Sequence, residues 1–140
     1  MPAKDLIHDA VRTALTKDGW TITDDPLTLK FEDKRFFIDL GAERWILAAE
    51  REHEKIAVEI KSFLRTSVMK DLEDAFGQYM IYLTFLKRIE PERKLYVSIP
   101  DVVYVLLSES QAIQMLLHDN SVPLIIVNPD TEEIVEWIQS

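Results

Sequence analysis

The sequence predicts a mixed α/β domain in which one central β-sheet is flanked by helices. Two segments space their apolar residues at helical intervals, while the region between them alternates with a period of two. The 140 residues are 47% apolar and 29% charged, enough to bury one core and of a size for one domain over residues 1–140.

The elements follow in order. Ile7, Ala10, Val11, Ala14 and Leu15 form the apolar stripe of a helix from Ala3 to Lys17, closed by Asp18-Gly19. Trp20 to Thr23 is short and β-prone, and Asp24-Asp25-Pro26 is a turn. Leu27 to Phe31 alternates as a strand, Glu32-Asp33-Lys34-Arg35 forms a charged hairpin tip, and Phe36 to Leu40 is the returning strand. Trp45 to Glu50 is a weaker segment, strand or short helix. Lys55 to Phe63 is a strong strand with Ile56, Val58 and Ile60 on one face. Ser67 caps a long helix from Val68 to about Arg88, whose stripe runs Val68, Leu72, Ala75/Phe76, Tyr79, Leu83 and Leu86 before Pro91 stops the chain. Leu95 to Ile99 is a strand stopped by Pro100. Ser108-Glu109-Ser110-Gln111 reads as a capping box opening a helix to about Leu117. Leu124 to Val127 is a strand, Asn128-Pro129-Asp130 a turn, and Glu133 to Ile138 a last strand.

Composition excludes several chemistries. Without cysteine there is no disulfide framework, thiolate zinc site or cysteine nucleophile. The histidines, His8, His53 and His118, lack metal-ligand spacing; His53 falls in a charged turn and His118 near a helix end. Trp20, Trp45 and Trp137 read as core residues. No stretch reaches the ~18 apolar residues of a membrane span, and the N-terminus lacks the apolar run of a signal peptide, so the reading is a soluble, cytoplasmic protein with no membrane association.

The formal charge is −9, unevenly spread. Residues 91–140 carry two basic and eight acidic side chains, and no Lys or Arg follows Lys94. Phosphate binding depends on Lys and Arg, so a polyanion must approach the first two-thirds of the chain, or a partner must supply positive charge. The basic candidates are Lys4, Arg12, Lys30, Lys34, Arg35, Lys55, Arg65 and Lys70.

One constellation carries chemistry. On the strand through Val58-Glu59-Ile60-Lys61, Glu59 and Lys61 share a face opposite Val58 and Ile60, and only small Ala57 precedes them there. Asp39 lies inside an apolar strand, where a carboxylate needs a cationic partner. Two nearby carboxylates raise each other's pKa unless a divalent ion or a lysine intervenes, and this oxygen-rich set suits a hard cation such as Mg²⁺ or Mn²⁺. The plainer alternative is a Glu59–Lys61 ion pair on an edge strand. On the long helix, Gln78 and Tyr82 are one turn apart and share a face.

Asp39-(x)₁₉-Glu59-x-Lys61 resembles the PD-(D/E)xK nuclease superfamily, with Ile38 in place of its proline. Gln78-x₃-Tyr82 is similar to the helix motif of RecB-like members. The resemblance implies a restriction-endonuclease-like mixed sheet, Asp39 and Glu59 as Mg²⁺ ligands, Lys61 orienting the attacking water, and Gln78 fixing that water or a phosphate oxygen. Asp5 or His8 would be an auxiliary acidic or ligating group from the first helix, with capping of that helix the alternative for Asp5, and Glu43 an auxiliary carboxylate or a solvated loop residue. The whole chain resembles the XisH family, the fdxN-element excision controlling factors. This rests on Lys4-Asp5-Leu6-Ile7-His8, Asp18 to Leu27, Ile38-Asp39-Leu40-Gly41-Ala42-Glu43, Val58 to Phe63 and Gly77-Gln78-Tyr79. It implies a role in DNA rearrangement beside an XisI-like partner. Two functions are therefore expected in competition: a Mg²⁺-dependent DNA endonuclease that binds DNA weakly alone, and a catalytically silent nuclease-fold accessory factor controlling a recombinase. The oligomeric state stays open, a homodimer included.

Overall fold

The computed structural model describes residues 3–46, 52–63 and 67–139. Among them are α1 (Ala3–Lys17), β1 (Thr21–Asp24), β2 (Leu27–Phe31), β3 (Lys34–Ile38), β4 (Leu40–Ile46), β5 (Glu52–Ile60), α2 (Val68–Ile89), β6 (Arg93–Pro100), α3 (Asp101–Ser108), α4 (Gln111–Asp119), β7 (Leu124–Asn128) and β8 (Glu133–Ile138). The mixed α/β class is as expected.

Six strands form the central sheet in the order β1-β4-β5-β6-β7-β8. The central pairs β5–β6 and β6–β7 are parallel and the other pairs antiparallel. Parallel neighbours need crossovers, which α2 supplies between β5 and β6, and α3 with α4 between β6 and β7. β2 and β3 form a separate hairpin.

The sheet has a core on each face. On one side Val11, Ala14 and Leu15 of α1 pack with Leu40, Ala42, Ile56, Val58 and Ile125. On the other, Leu72, Tyr79 and Leu86 of α2 and Leu27, Leu29 and Ile38 of the hairpin pack on Ala57, Leu95 and Val97. The helical stripe of α2 and the period-two register of β5 thus fall as the sequence indicated.

Four expectations need correction. The strand from Phe36 to Leu40 is broken at Asp39: Ile38 packs in the α2-side core and Leu40 in the α1-side core. Residues two apart on a continuous strand share a face, so reaching opposite faces requires the chain to turn at Asp39. The strand from Lys55 to Phe63 instead begins at Glu52 and ends at Ile60; Lys61 N–H still donates to Ser98 O at 2.9 Å, but Phe63 adopts φ 55°. Pro100 does not only end a strand. It is the N-cap of α3, in an extended conformation, and Asp101 Oδ1 in the first turn accepts Val102 N–H at 2.8 Å. Ser108 belongs to α3, donating to Tyr104 O at 2.7 Å, and the cap of α4 is Ser110, whose Oγ accepts Ile113 N–H. Ser67 caps α2 as expected, accepting from Lys70 N–H at 3.2 Å. The Trp45–Glu50 segment is strand as far as Ile46; its remainder, and Arg65, lie outside the described residues.

Among the described residues, no helix is long and apolar enough to cross a membrane.

Candidate active site

The break at Asp39 and the end of β5 meet beneath α2. β4 and β5 pair with Leu40 opposite Val58, so Asp39, one residue before β4, comes beside Glu59. Their backbones and side chains exchange hydrogen bonds. Glu59 Oε1 accepts Asp39 N–H at 3.3 Å, and Asp39 Oδ2 accepts Ile60 N–H at 2.8 Å. Each carboxylate is thereby held by the other's strand, which fixes both head groups before any ligand arrives.

Lys61 projects to the same face as Glu59. Its Nζ stands 3.4 Å from Glu59 Oε2 and donates to Gln78 Oε1 from α2. Helical spacing places Tyr82 one turn beyond Gln78. Burial is the first cause of the raised pKa of the Tyr82 phenol, and Glu59 and Asp39 then add to it, so the hydroxyl lies in the field of both carboxylates. The structure therefore gathers Asp39, Glu59, Lys61, Gln78 and Tyr82.

The electrostatics are those of a crowded acid pair. Glu59 is only 7% exposed, on an interior strand, and its pKa is raised from 4.5 to about 7. Burial is the main cause and the Asp39 charge the next; the Lys61 ammonium works against both. A solvated edge-strand ion pair does not describe this geometry.

The other expected site residues lie elsewhere. His8 Nε2 meets Asp25 Oδ1 at 2.9 Å, and Arg12 binds the other oxygen of Asp25, so His8 ties α1 to the turn before β2. The side chain of Asp5 lies outside the described residues. Glu43 is a β4 residue, not a loop residue, and pairs with His53 Nε2 at 2.7 Å. It stands opposite Lys55, four residues from Glu59, or ~13 Å along the strand, beyond the reach of a shared cation. His53 lies on β5 rather than in a turn and stacks on Trp45 with ring centroids 4.2 Å apart. Trp45 is 61% exposed and so is not a core residue, whereas Trp20 is buried and packs on Trp137.

Sequence reasoning missed one element of the site, the Ile60 amide that holds Asp39. A side-chain motif does not display a backbone donor; the signal was the middle position of Glu-x-Lys at a strand end.

Among the described residues, no group of three His, Cys, Asp or Glu side chains is arranged to hold a metal. The donor set does fit Mg²⁺. That ion takes one or two carboxylates and keeps several waters, and a buried carboxyl whose pKa is raised by burial and by a neighbouring carboxylate, as that of Glu59 is, is what a divalent cation relieves.

No curated protein matches the chain. Two solved structures do. One is an XisH family protein from Nostoc punctiforme, 38% identical, with a TM-score of 0.87 over 96% of this chain and 100% of that one. The other is an fdxN element excision controlling factor protein from Anabaena variabilis, 35% identical, with a TM-score of 0.85 over 96% of this chain and 99% of that one. The family model for the XisH protein spans residues 1–135, taking in both strands of the acid pair and the helix that carries Gln78. With nearly its whole length matched by that model, the chain belongs to the XisH family.

Proposed function

We propose that the protein is a Mg²⁺-dependent DNA endonuclease of the PD-(D/E)xK type, with a restriction-endonuclease-like fold, acting in DNA rearrangement with a partner. The observation that carries this is the convergence of Asp39, Glu59, Lys61 and Gln78 on one another at a strand end, with Glu59 buried. The excision-controlling role named for the Anabaena variabilis protein agrees with it.

In this reading Asp39 and Glu59 hold the ion, which when bound supplies a Lewis acid and a more acidic water. Lys61 is aimed by Glu59 and Gln78, and it orients the attacking water by hydrogen bonding. Water oxygen adds to phosphorus in line as the P–O bond to the leaving oxygen breaks; the water gives up one proton to solvent and the leaving oxygen takes one from solvent. The cross-strand hydrogen bonds spare the site reorganisation of its carboxylates. An XisI-like partner, or a second copy, would supply further contacts to DNA.

One observation favours the alternative of a silent accessory factor: the net charge of −9, with eight acidic side chains in residues 91–140. Nicking of supercoiled plasmid separates the two. Cleavage requiring Mg²⁺ or Mn²⁺, with or without the partner, and lost in Asp39→Asn and Lys61→Met, is the expected result. Partner binding with no cleavage by either preparation supports the accessory reading and refutes the enzyme.

A further inference from the structure

The cations of this acidic chain are not distributed at random with respect to their partners. Arg12 is held by Asp25, Arg44 by Glu54, Lys55 by Glu92, Lys61 by Glu59, Lys70 by Asp74 and Arg93 by Glu90. Lys17 and Lys94 donate to Thr131 O and Gln139 Oε1. Among the described residues, Lys30, Lys34, Arg35, Lys87 and Arg88 alone of the Lys and Arg side chains make no such bond. All five are exposed. Three lie on the β2–β3 hairpin and two in the last turns of α2, and these elements touch through Phe85, whose ring lies 5.3 Å from Phe31 and 4.6 Å from Phe36. Arg88 is one turn beyond Phe85.

The register of the hairpin sorts its faces. Leu27 pairs with Ile38 and Leu29 with Phe36, and that face is packed into the core. Thr28 pairs with Phe37 and Lys30 with Arg35, and all four of these are exposed. Phe37 is 54% exposed, an aromatic ring set in a basic face without apolar cover. Arg35 and Phe37 are four and two residues upstream of Asp39. Strand rise puts Arg35 ~13 Å from the acid pair, about four base-pair steps along a duplex. Glu32 and Asp33 at the hairpin tip lower the net charge of the patch, but they lie at its far end from Asp39.

We propose that the outer face of the β2–β3 hairpin is the surface that holds the backbone of duplex DNA beside the candidate active site; α2 packs through Phe85 on the opposite face, so its Lys87 and Arg88 stand apart from it. Lys30 and Arg35 take phosphates, and Phe37 enters the groove between them as an apolar contact. The assignment deepens the endonuclease reading and rests on it only for what happens after binding. Of the basic side expected from the sequence it uses Lys30 and Arg35; Arg12, Lys55 and Lys70 lie in ion pairs with Asp25, Glu92 and Asp74, and the side chains of Lys4 and Arg65 lie outside the described residues.

The test is fluorescence anisotropy of a labelled duplex in EDTA, so that chemistry is silent, at several salt concentrations from about 50 mM upward. The wild-type chain should bind weakly, in the 10⁻⁴–10⁻⁶ M range at physiological salt and tighter below it. The double variant Lys30→Gln/Arg35→Gln should weaken binding at least about tenfold. It should also reduce the slope of log K against log salt by about 1.8, at about 0.9 for each phosphate no longer neutralised. Phe37→Ala should weaken binding with the slope unchanged. A control of equal charge change, Lys17→Gln/Lys94→Gln, should leave the slope near wild type. An equal loss in control and patch variants, no effect of the patch variant, or no wild-type binding at about 50 mM salt overturns the assignment. So does patch-dependent binding to phosphatidylglycerol vesicles that is tighter than binding to duplex. Because no metal is present, DNA bound but never cut in Mg²⁺ would refute the endonuclease and leave the docking surface standing.

Discussion

Replacing Glu59 by Gln should flatten the dependence of stability on pH. The folded protein holds this carboxyl at about 7, against 4.5 for the ordinary group, chiefly because it is buried and then because Asp39 lies beside it. The folded chain therefore binds a proton more tightly than the unfolded chain does. Stability from this group is fully present below 4.5 and is lost as pH rises through about 7. At about 1.4 kcal/mol per tenfold change in proton affinity, the loss amounts to about 3 kcal/mol between about pH 4.5 and pH 8. For a chain of this size that is roughly 10 °C in Tm. Gln keeps an oxygen for Asp39 N–H and removes the titration. It also removes the partner of Lys61, so the informative quantity is the change between two pH values within each protein rather than the offset between proteins. Urea unfolding near pH 4.5 and near pH 8, with no divalent ion, should show wild type losing about 3 kcal/mol more than Glu59→Gln over that interval. Equal losses in the two proteins would refute the account of Glu59.

Other outcomes follow from the same contacts. At pH near 8, Mg²⁺ at about ten times its Kd should stabilise the wild-type protein by about 1.4 kcal/mol, and Asp39→Asn, which can still accept Ile60 N–H, should abolish the gain in a thermal melt. Lys61→Met should move the Glu59 titration, followed by carboxyl carbon NMR, to higher pH, because the ammonium now holds it down. Gly41→Ala should destabilise by about 1–3 kcal/mol in urea, since an added Cβ would come 3.1 Å from Asp24 Cβ and 2.9 Å from Asp24 Oδ2 across the β1–β4 pair.

The central sheet was legible because its signals are local. Ile56, Val58 and Ile60 alternate within one strand, and Leu72, Tyr79 and Leu86 repeat within one helix, so each face could be read before its partner was known. The acid pair was legible for a related reason. A charged residue inside an apolar run requires a partner, and Asp39 and Glu59 both met that condition. What sequence hid were relations across distance. The turn at Asp39 depends on Ile38 and Leu40 entering different cores, and the alternation Phe36-Ile38-Leu40 reads as one strand until both cores exist. Glu43 and His53 looked like solvated residues because their pairing crosses a hairpin. His8 looked available until Asp25 folded against it. The basic surface is a further case: a list of lysines and arginines does not say which of them pair with carboxylates.

The central claim is that Asp39 and Glu59 form one divalent-cation site, and the anomalous scattering of Mn²⁺ in crystals of the protein tests it most directly. A single strong peak is predicted between the two carboxylates, about 2.1–2.2 Å from an oxygen of each, and it should vanish in Asp39→Asn crystals soaked in the same way. A wild-type crystal soaked near pH 8 with no peak there, or with Mn²⁺ bound only to other carboxylates, would contradict it.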